Sequence, residues 1–210
     1  TLMKAKRIYG LALFLVSLVL ITALSSAVYA KYIKKTDFKG NTVTIQANLA
    51  EDFTLTESKA NRTEMGDYVL DTTTPVEAKQ YVLMPGVDIP KDPTIKISKK
   101  TPIPAYLYVE VVDTNTDGAV TYSLTSDWEL LPALTGPNGG KVYAYTTLLD
   151  GTITDMSIKI LEGNTVFVSQ ALNHSDTAKP FSIKFHAYLL QKPDGTTNET
   201  TIFKNALGLS

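Results

Sequence analysis

Two histidines, His174 and His186, are the only imidazoles in the 210-residue chain, and they bound what it could catalyse. Zinc-dependent hydrolysis needs about three fixed protein ligands and a general base, most simply two histidines one helical turn apart with a glutamate between them. Neither histidine stands in such a pattern. His174 falls in the polar run Asn173-His174-Ser175-Asp176, and His186 alternates with Lys184 and Tyr188, which predicts a solvent-facing place on a sheet. No Gly-x-Ser-x-Gly elbow is present, and two histidines leave a serine nucleophile little choice of base. The chain has no cysteine, so thiol catalysis and thiolate metal sites are excluded. Glu51 and Asp52 are adjacent and therefore point to opposite sides of a strand or sit in a turn, where solvation is the simplest reading. These residues predict a protein that is not an enzyme.

One motif has metal-ligand spacing. Asp113, Asn115 and Asp117 alternate ahead of Gly118, like the first half of a calcium loop. The twelfth position is Leu124 instead of a bidentate glutamate, and strand-connecting turns are themselves rich in Asp, Asn and Gly. A turn is expected, with a weak calcium site as its rival, and no other cofactor. Trp128, the single tryptophan, reads as a core residue. Tyr106, Tyr108, Tyr143 and Tyr145 form two same-face pairs that would suit either a carbohydrate platform or cross-strand packing, and packing is the simpler account. The triplets at Asn61, Asn173 and Asn198 match a glycosylation pattern that arises easily by chance in a chain rich in Thr and Asn.

The elements that must carry these residues follow from the patterning. Lys4, Lys6 and Arg7 precede an uncharged stretch from Ile8 to Ala30 that ends in small residues, which predicts a signal peptide over residues 1–30 cleaved after Ala30 or, alternatively, Ala27. An uncleaved anchor is the rival, since about 20 apolar residues can span a bilayer. On either reading the rest of the chain lies outside the membrane. Residues 31–210 are expected to form one domain, with a flexible segment over 31–41. The mature part is mildly acidic, which gives nucleic-acid binding no electrostatic basis. Without disulfides an exported domain must be held by its core.

Helical periodicity is nearly absent. Val43, Ile45, Ala47 and Leu49 share one strand face, as do Ile183, Phe185, Ala187 and Leu189. Tyr106 to Val112 is almost continuously apolar and suits a central strand. Gly136 to Gly140 predicts a hairpin loop before Val142, Ser58 to Asp67 a polar loop, and Asn198 to Ala206 a short terminal helix. Between Tyr81 and Val112 the prolines at 85, 90, 93, 102 and 104 exclude helix and central-strand pairing, as expected where a chain crosses between the sheets of a sandwich. The predicted class is all-β, an antiparallel β-sandwich of jelly-roll or immunoglobulin-like type.

Several of these stretches resemble a known family. Val28-Tyr29-Ala30 followed by Lys31-Tyr32-Ile33, the block Leu83-Met84-Pro85-Gly86 through Pro90-Lys91-Asp92-Pro93, Pro104 to Val111, Ser126-Asp127-Trp128 and Phe185 to Leu189 are similar to the TasA/camelysin group. Those are exported proteins of Gram-positive bacteria processed by a SipW-type signal peptidase. The resemblance implies a jelly-roll-like sandwich and a structural role at the cell surface or in a biofilm matrix. Its implied partners are further copies of the chain in fibres, other matrix proteins and, during export, the signal peptidase. Membrane contact would be through the signal segment alone. In such fibres the N-terminal segment of one subunit can add as a strand to the next, and Lys31, Tyr32, Ile33, Val43, Ile45, Ala47 and Leu49 are the residues of this chain placed to do so. The other reading of Thr42 to Leu49 is the first strand of its own sheet, which leaves Lys31 to Lys39 as the freer donor. A module that binds cell-wall glycan or a partner protein is the alternative function, and a camelysin-type metalloprotease, which the resemblance also implies, is less favoured because the zinc-ligand motif is missing.

Overall fold

The computed structural model describes residues 33–37, 42–46, 53–75, 83–97, 103–115, 118–150, 155–171, 182–193, 195 and 198–209, with the first two segments defined as backbone strands. The predicted cleavage sites at Ala27 and Ala30 lie outside these residues, as do Lys31, Tyr32, Ala47, Leu49, Asp117 and His174.

The described residues form an all-β protein with one α-helix. Its strands are β1 (Ile33–Asp37), β2 (Thr42–Gln46), β3 (Phe53–Thr56), β4 (Ser58–Arg62), β5 (Tyr68–Pro75), β6 (Asp88–Pro90), β7 (Thr94–Ile97), β8 (Ala105–Asp113), β9 (Val120–Thr121), β10 (Trp128–Thr135), β11 (Lys141–Tyr145), β12 (Met156–Lys159), β13 (Thr165–Val168) and β14 (Ile183–Gln191). The helix, α1, spans Glu199–Leu207. Six strands form a large sheet in the order β1-β2-β14-β8-β11-β10. Two three-stranded sheets, β12-β7-β3 and β6-β13-β9, and the hairpin β4-β5 complete the set. Pairing is antiparallel throughout except for β2 against β14, which is parallel.

The large sheet is covered on both faces. One face presents Leu107, Val109 and Val111 from β8 and Phe185, Ala187 and Leu189 from β14. These pack against Phe53 and Leu55 of β3, Ile95 and Ile97 of β7, and Ile89, Val166 and Val168 of the β6-β13-β9 sheet, so the two small sheets together close a sandwich. The opposite face presents Tyr106, Tyr108, Tyr188 and Leu190 to Ile202, Phe203 and Ala206 of α1. Burial on both faces is why β8 and β14 carry nearly continuous apolar runs instead of clean alternation.

Helix α1 is delimited by its caps. The Asn198 side chain accepts a hydrogen bond from the Thr201 N–H at 3.0 Å, and Gly208 closes the helix in the left-handed region, at φ 66°. The ring of Phe203 lies 5.1 Å from those of both Tyr108 and Tyr188, and the Tyr108 hydroxyl donates to the Glu199 carbonyl at 3.1 Å. The predicted terminal helix is therefore also the lid of the second core.

Two expectations need correction. Ser58 to Arg62 is a strand, not a loop. Only Ala60 within it is fully buried, and the segment is held by backbone pairing to β5, which leaves no apolar pattern to read. His186 is buried, because β8 and β2 flank its strand and its side of the sheet is the one that α1 covers at Tyr188 and Leu190. Strand β9, after the Asp113 turn, joins β13 in a different sheet from β8. The proline-rich stretch behaves as expected: Pro90 ends edge strand β6, and between Ile97 and Ala105 the chain passes from a small sheet into the large one.

Candidate functional site

The three predicted assembly residues that fall among the described ones lie at one margin of the large sheet. Ile33 lies in β1, and Val43 and Ile45 lie in β2, which pairs antiparallel with β1 and parallel with β14. Thr42 to Gln46 is thus a strand of its own sheet, and β1, part of the stretch expected to be freer, is its outermost strand. The opposite margin is β10, and it is built differently. Pairing of β10 with β11 is interrupted between Leu130 and Thr135, where Pro132 lacks an N–H and Ala133 adopts a positive φ of 63°. A bulge and a proline disrupt the regular row of hydrogen-bonding groups that a further strand would need. The large sheet therefore has one blunted edge and one regular edge.

The candidate calcium loop is already engaged with the protein. Asp113 Oδ1 accepts from the Asn115 N–H at 2.7 Å, and its Oδ2 accepts from the Tyr122 hydroxyl at 3.0 Å. Asn115 Nδ2 donates to the Val120 carbonyl at 2.5 Å. Burial, and then the Asp113 carboxylate beside it, push the Tyr122 phenol above its ordinary range. This is a turn tied by its own side chains, as Asx chemistry predicts. Among the described residues no group of three or more His, Cys, Asp or Glu side chains could hold a metal ion.

The aromatic residues behave as core. Trp128 is buried, donates its indole N–H to the Lys159 carbonyl at 3.0 Å and lies 5.4 Å from the Tyr145 ring. Tyr106 and Tyr108 are buried under α1, while Tyr143 and Tyr145 pack from the other face against the sandwich core. The four tyrosines form no continuous exposed platform.

Two buried polar clusters escaped sequence reasoning. The first is Glu110, fully buried in the centre of β8. Its Oε1 accepts from the backbone N–H groups of Asn138 and Gly140 at 2.8 and 2.9 Å. Its Oε2 accepts from Asn138 Nδ2 at 2.8 Å and from the Tyr188 hydroxyl at 2.6 Å. The Gly136–Gly140 loop wraps the carboxylate so closely that a Cβ on Gly136 would collide with it, and one on Gly140 would approach the Val111 carbonyl oxygen to 2.5 Å. A lone charge inside an apolar strand, opposite a glycine-rich loop, was the available signal.

The second cluster joins the two small sheets. Lys91 Nζ lies 2.8 Å from both carboxylate oxygens of Glu57, with the two side chains 13% and 7% exposed. The same ammonium sits 5.4 Å from the centre of the Phe185 ring. Asp92 accepts from both the N–H and the hydroxyl of Ser58 at 2.7 Å, which fixes the backbone beside Glu57.

No protein-family model matches the chain, and no curated protein matches it either. Among the described residues no helix is long and apolar enough to cross a membrane.

Proposed function

We propose that this chain is an exported structural protein of a bacterial cell surface or biofilm matrix, similar to the TasA/camelysin group, and that copies assemble by strand addition at the β1-β2 margin. The observation that carries this reading is the asymmetry of the large sheet. One margin, β10, is interrupted by a bulge and Pro132; the other is an N-terminal hairpin attached to the body through the parallel β2–β14 pair. Backbone hydrogen bonds supply the affinity in strand addition and alternate side chains supply the selectivity. A neighbouring chain can extend the sheet beyond β1, or supply its own hairpin to β14. The jelly-roll-like topology expected from the resemblance belongs to the same reading.

The test is direct. Protein lacking residues 31–39 should remain a folded monomer by circular dichroism and form no fibres by electron microscopy, whereas the intact mature chain polymerises. Fibres that persist after the deletion, or an intact chain that stays monomeric at all concentrations, would overturn the reading.

A further inference from the structure

Asn138-Gly139 is the only Asn-Gly step in the chain. Such a step is the least hindered place for a backbone amide to attack the preceding side chain, because glycine carries no Cβ and has wide backbone freedom. The two residues are exposed in the loop between β10 and β11, so water reaches them. Yet both reacting groups are held. Asn138 Nδ2 donates to Glu110 Oε2 at 2.8 Å and to the Tyr188 hydroxyl at 3.0 Å. The Asn138 N–H donates to Glu110 Oε1 at 2.8 Å. The Gly139 N–H, which would be the nucleophile, donates to the Gly136 carbonyl at 3.0 Å.

The anchorage reaches into the core. Glu110 and Tyr188 are both buried in the central strands, so neither can follow the carboxamide outward. The Gly136 N–H donates to the Gly140 carbonyl at 2.9 Å and closes the neck of the loop, and the Gly140 N–H shares Glu110 Oε1 with Asn138. Ring closure at Asn138 therefore requires the loop to lift from the carboxylate, and the labile step is free only while that local opening lasts. The geometry also opposes return. An aspartate at position 138 would present a carboxylate oxygen where Glu110 Oε2 now receives an N–H, with the single Tyr188 hydroxyl between two like charges.

We propose that Glu110 and Tyr188 guard Asn138 against deamidation, and that an opened loop is converted there, in one direction, to an acid that cannot dock again. In the open loop the Gly139 nitrogen attacks Cγ of Asn138. The N–Cγ bond forms, the Cγ–Nδ2 bond breaks, and Nδ2 leaves as ammonia with the proton that the Gly139 N–H gives up. Water then opens the resulting succinimide at either carbonyl, which yields an aspartyl or an isoaspartyl link. Nothing is oxidised or reduced, and solvent water is the sole co-reactant. The site thus records how long the loop has been open, and its conversion loosens the connection between two adjacent strands of the large sheet.

The experiment incubates the folded full chain in mildly alkaline buffer beside a synthetic peptide of residues 134–143, with digestion and mass analysis at Asn138 over time. Conversion should run about tenfold or more slower in the folded chain, as expected of a loop open less than about a tenth of the time. Tyr188→Phe, checked for folding by circular dichroism, should convert faster than the wild type. Equal rates in the folded wild-type chain and the peptide overturn the proposal, whether or not that variant folds. Amide hydrogen exchange then compares Asn138→Asp with Asn138→Ala. The Gly140 N–H should lose its protection in the first and keep it in the second. Protection kept in both means that the acid docks again, and protection lost in both means that charge is not what bars it; either result overturns the one-way step.

Discussion

The hydroxyl of Tyr188 donates a 2.6 Å hydrogen bond to Glu110 Oε2 across the two central strands of the large sheet. That contact ties β14 to β8 at the point where the Gly136–Gly140 loop folds over them, and three other donors converge on the same carboxylate. A buried carboxylate is tolerable only when its lone pairs are occupied, and here the loop occupies them.

Replacing Glu110 with Ala should cost about 3 kcal/mol or more, because the Asn138 and Gly140 N–H groups are left without their acceptor and a buried donor without one costs about 1–3 kcal/mol. Denaturant unfolding measures it. A loss below about 1 kcal/mol would mean that the loop holds its shape unaided.

Gly140→Ala should destabilise by a comparable amount through steric conflict, since its new methyl would press on the Val111 carbonyl. Gly139→Ala is the control: its φ is 84° but nothing lies within reach of a Cβ, so only the backbone strain of about 1 kcal/mol remains. Equal effects at the two positions would contradict the tight fit at Gly140.

Phe203→Ala should cost about 3–5 kcal/mol by opening a cavity between Tyr108 and Tyr188 under α1. The near-ultraviolet circular dichroism of those tyrosines should weaken in parallel. A spectrum and midpoint like those of the wild type would show that the helix does not pack on the second core.

Alkaline stability is set by phenols whose ionisation the fold opposes. Burial, then the hydrogen bond to Glu110, raises Tyr188, and burial, then Glu199, raises Tyr108. A raised folded value means that the native state keeps a proton the unfolded chain releases. The stabilisation is therefore intact below the unfolded phenol value of about 10 and is lost as pH climbs above it toward the folded values. Ultraviolet titration should reveal tyrosines that ionise only as the protein unfolds; smooth titration of all of them near pH 10 in the folded protein would refute this.

Lys35→Pro should suppress fibre growth while leaving the unfolding midpoint of the monomer within a few degrees of the wild type. Proline removes an N–H from the middle of the edge strand β1, and only one neighbour depends on that strand. Fibres at the wild-type rate would place assembly elsewhere.

The alternation of Ile183, Phe185, Ala187 and Leu189 identified one face of β14 from sequence, because those types have a single reason to repeat at that spacing. The other face was opaque. His186 is amphipathic and reads as surface until α1 and the Glu110 cluster are in place, and Glu110 lies on a strand remote in the chain. Ser58 to Arg62 was illegible for the opposite reason, since backbone pairing alone makes it a strand. Asp113 and Asn115 gave a turn signal that the Asp113 carboxylate and Asn115 Nδ2 satisfy internally, while Asn115 Oδ1 is buried without a hydrogen-bond partner among the described residues. Lys91 lies inside the stretch that looked most distinctive, yet nothing local marks Glu57 as its neighbour; only the fold brings them together.

The parallel β2–β14 pair also sets a timetable. Strand β2 precedes β14 by eleven intervening strands, so the hairpin leaves the ribosome well before its docking partner. A contact of such long sequence separation forms late and slowly. During that interval the hairpin has emerged without its partner, and neighbouring nascent chains meet it before its own sheet does.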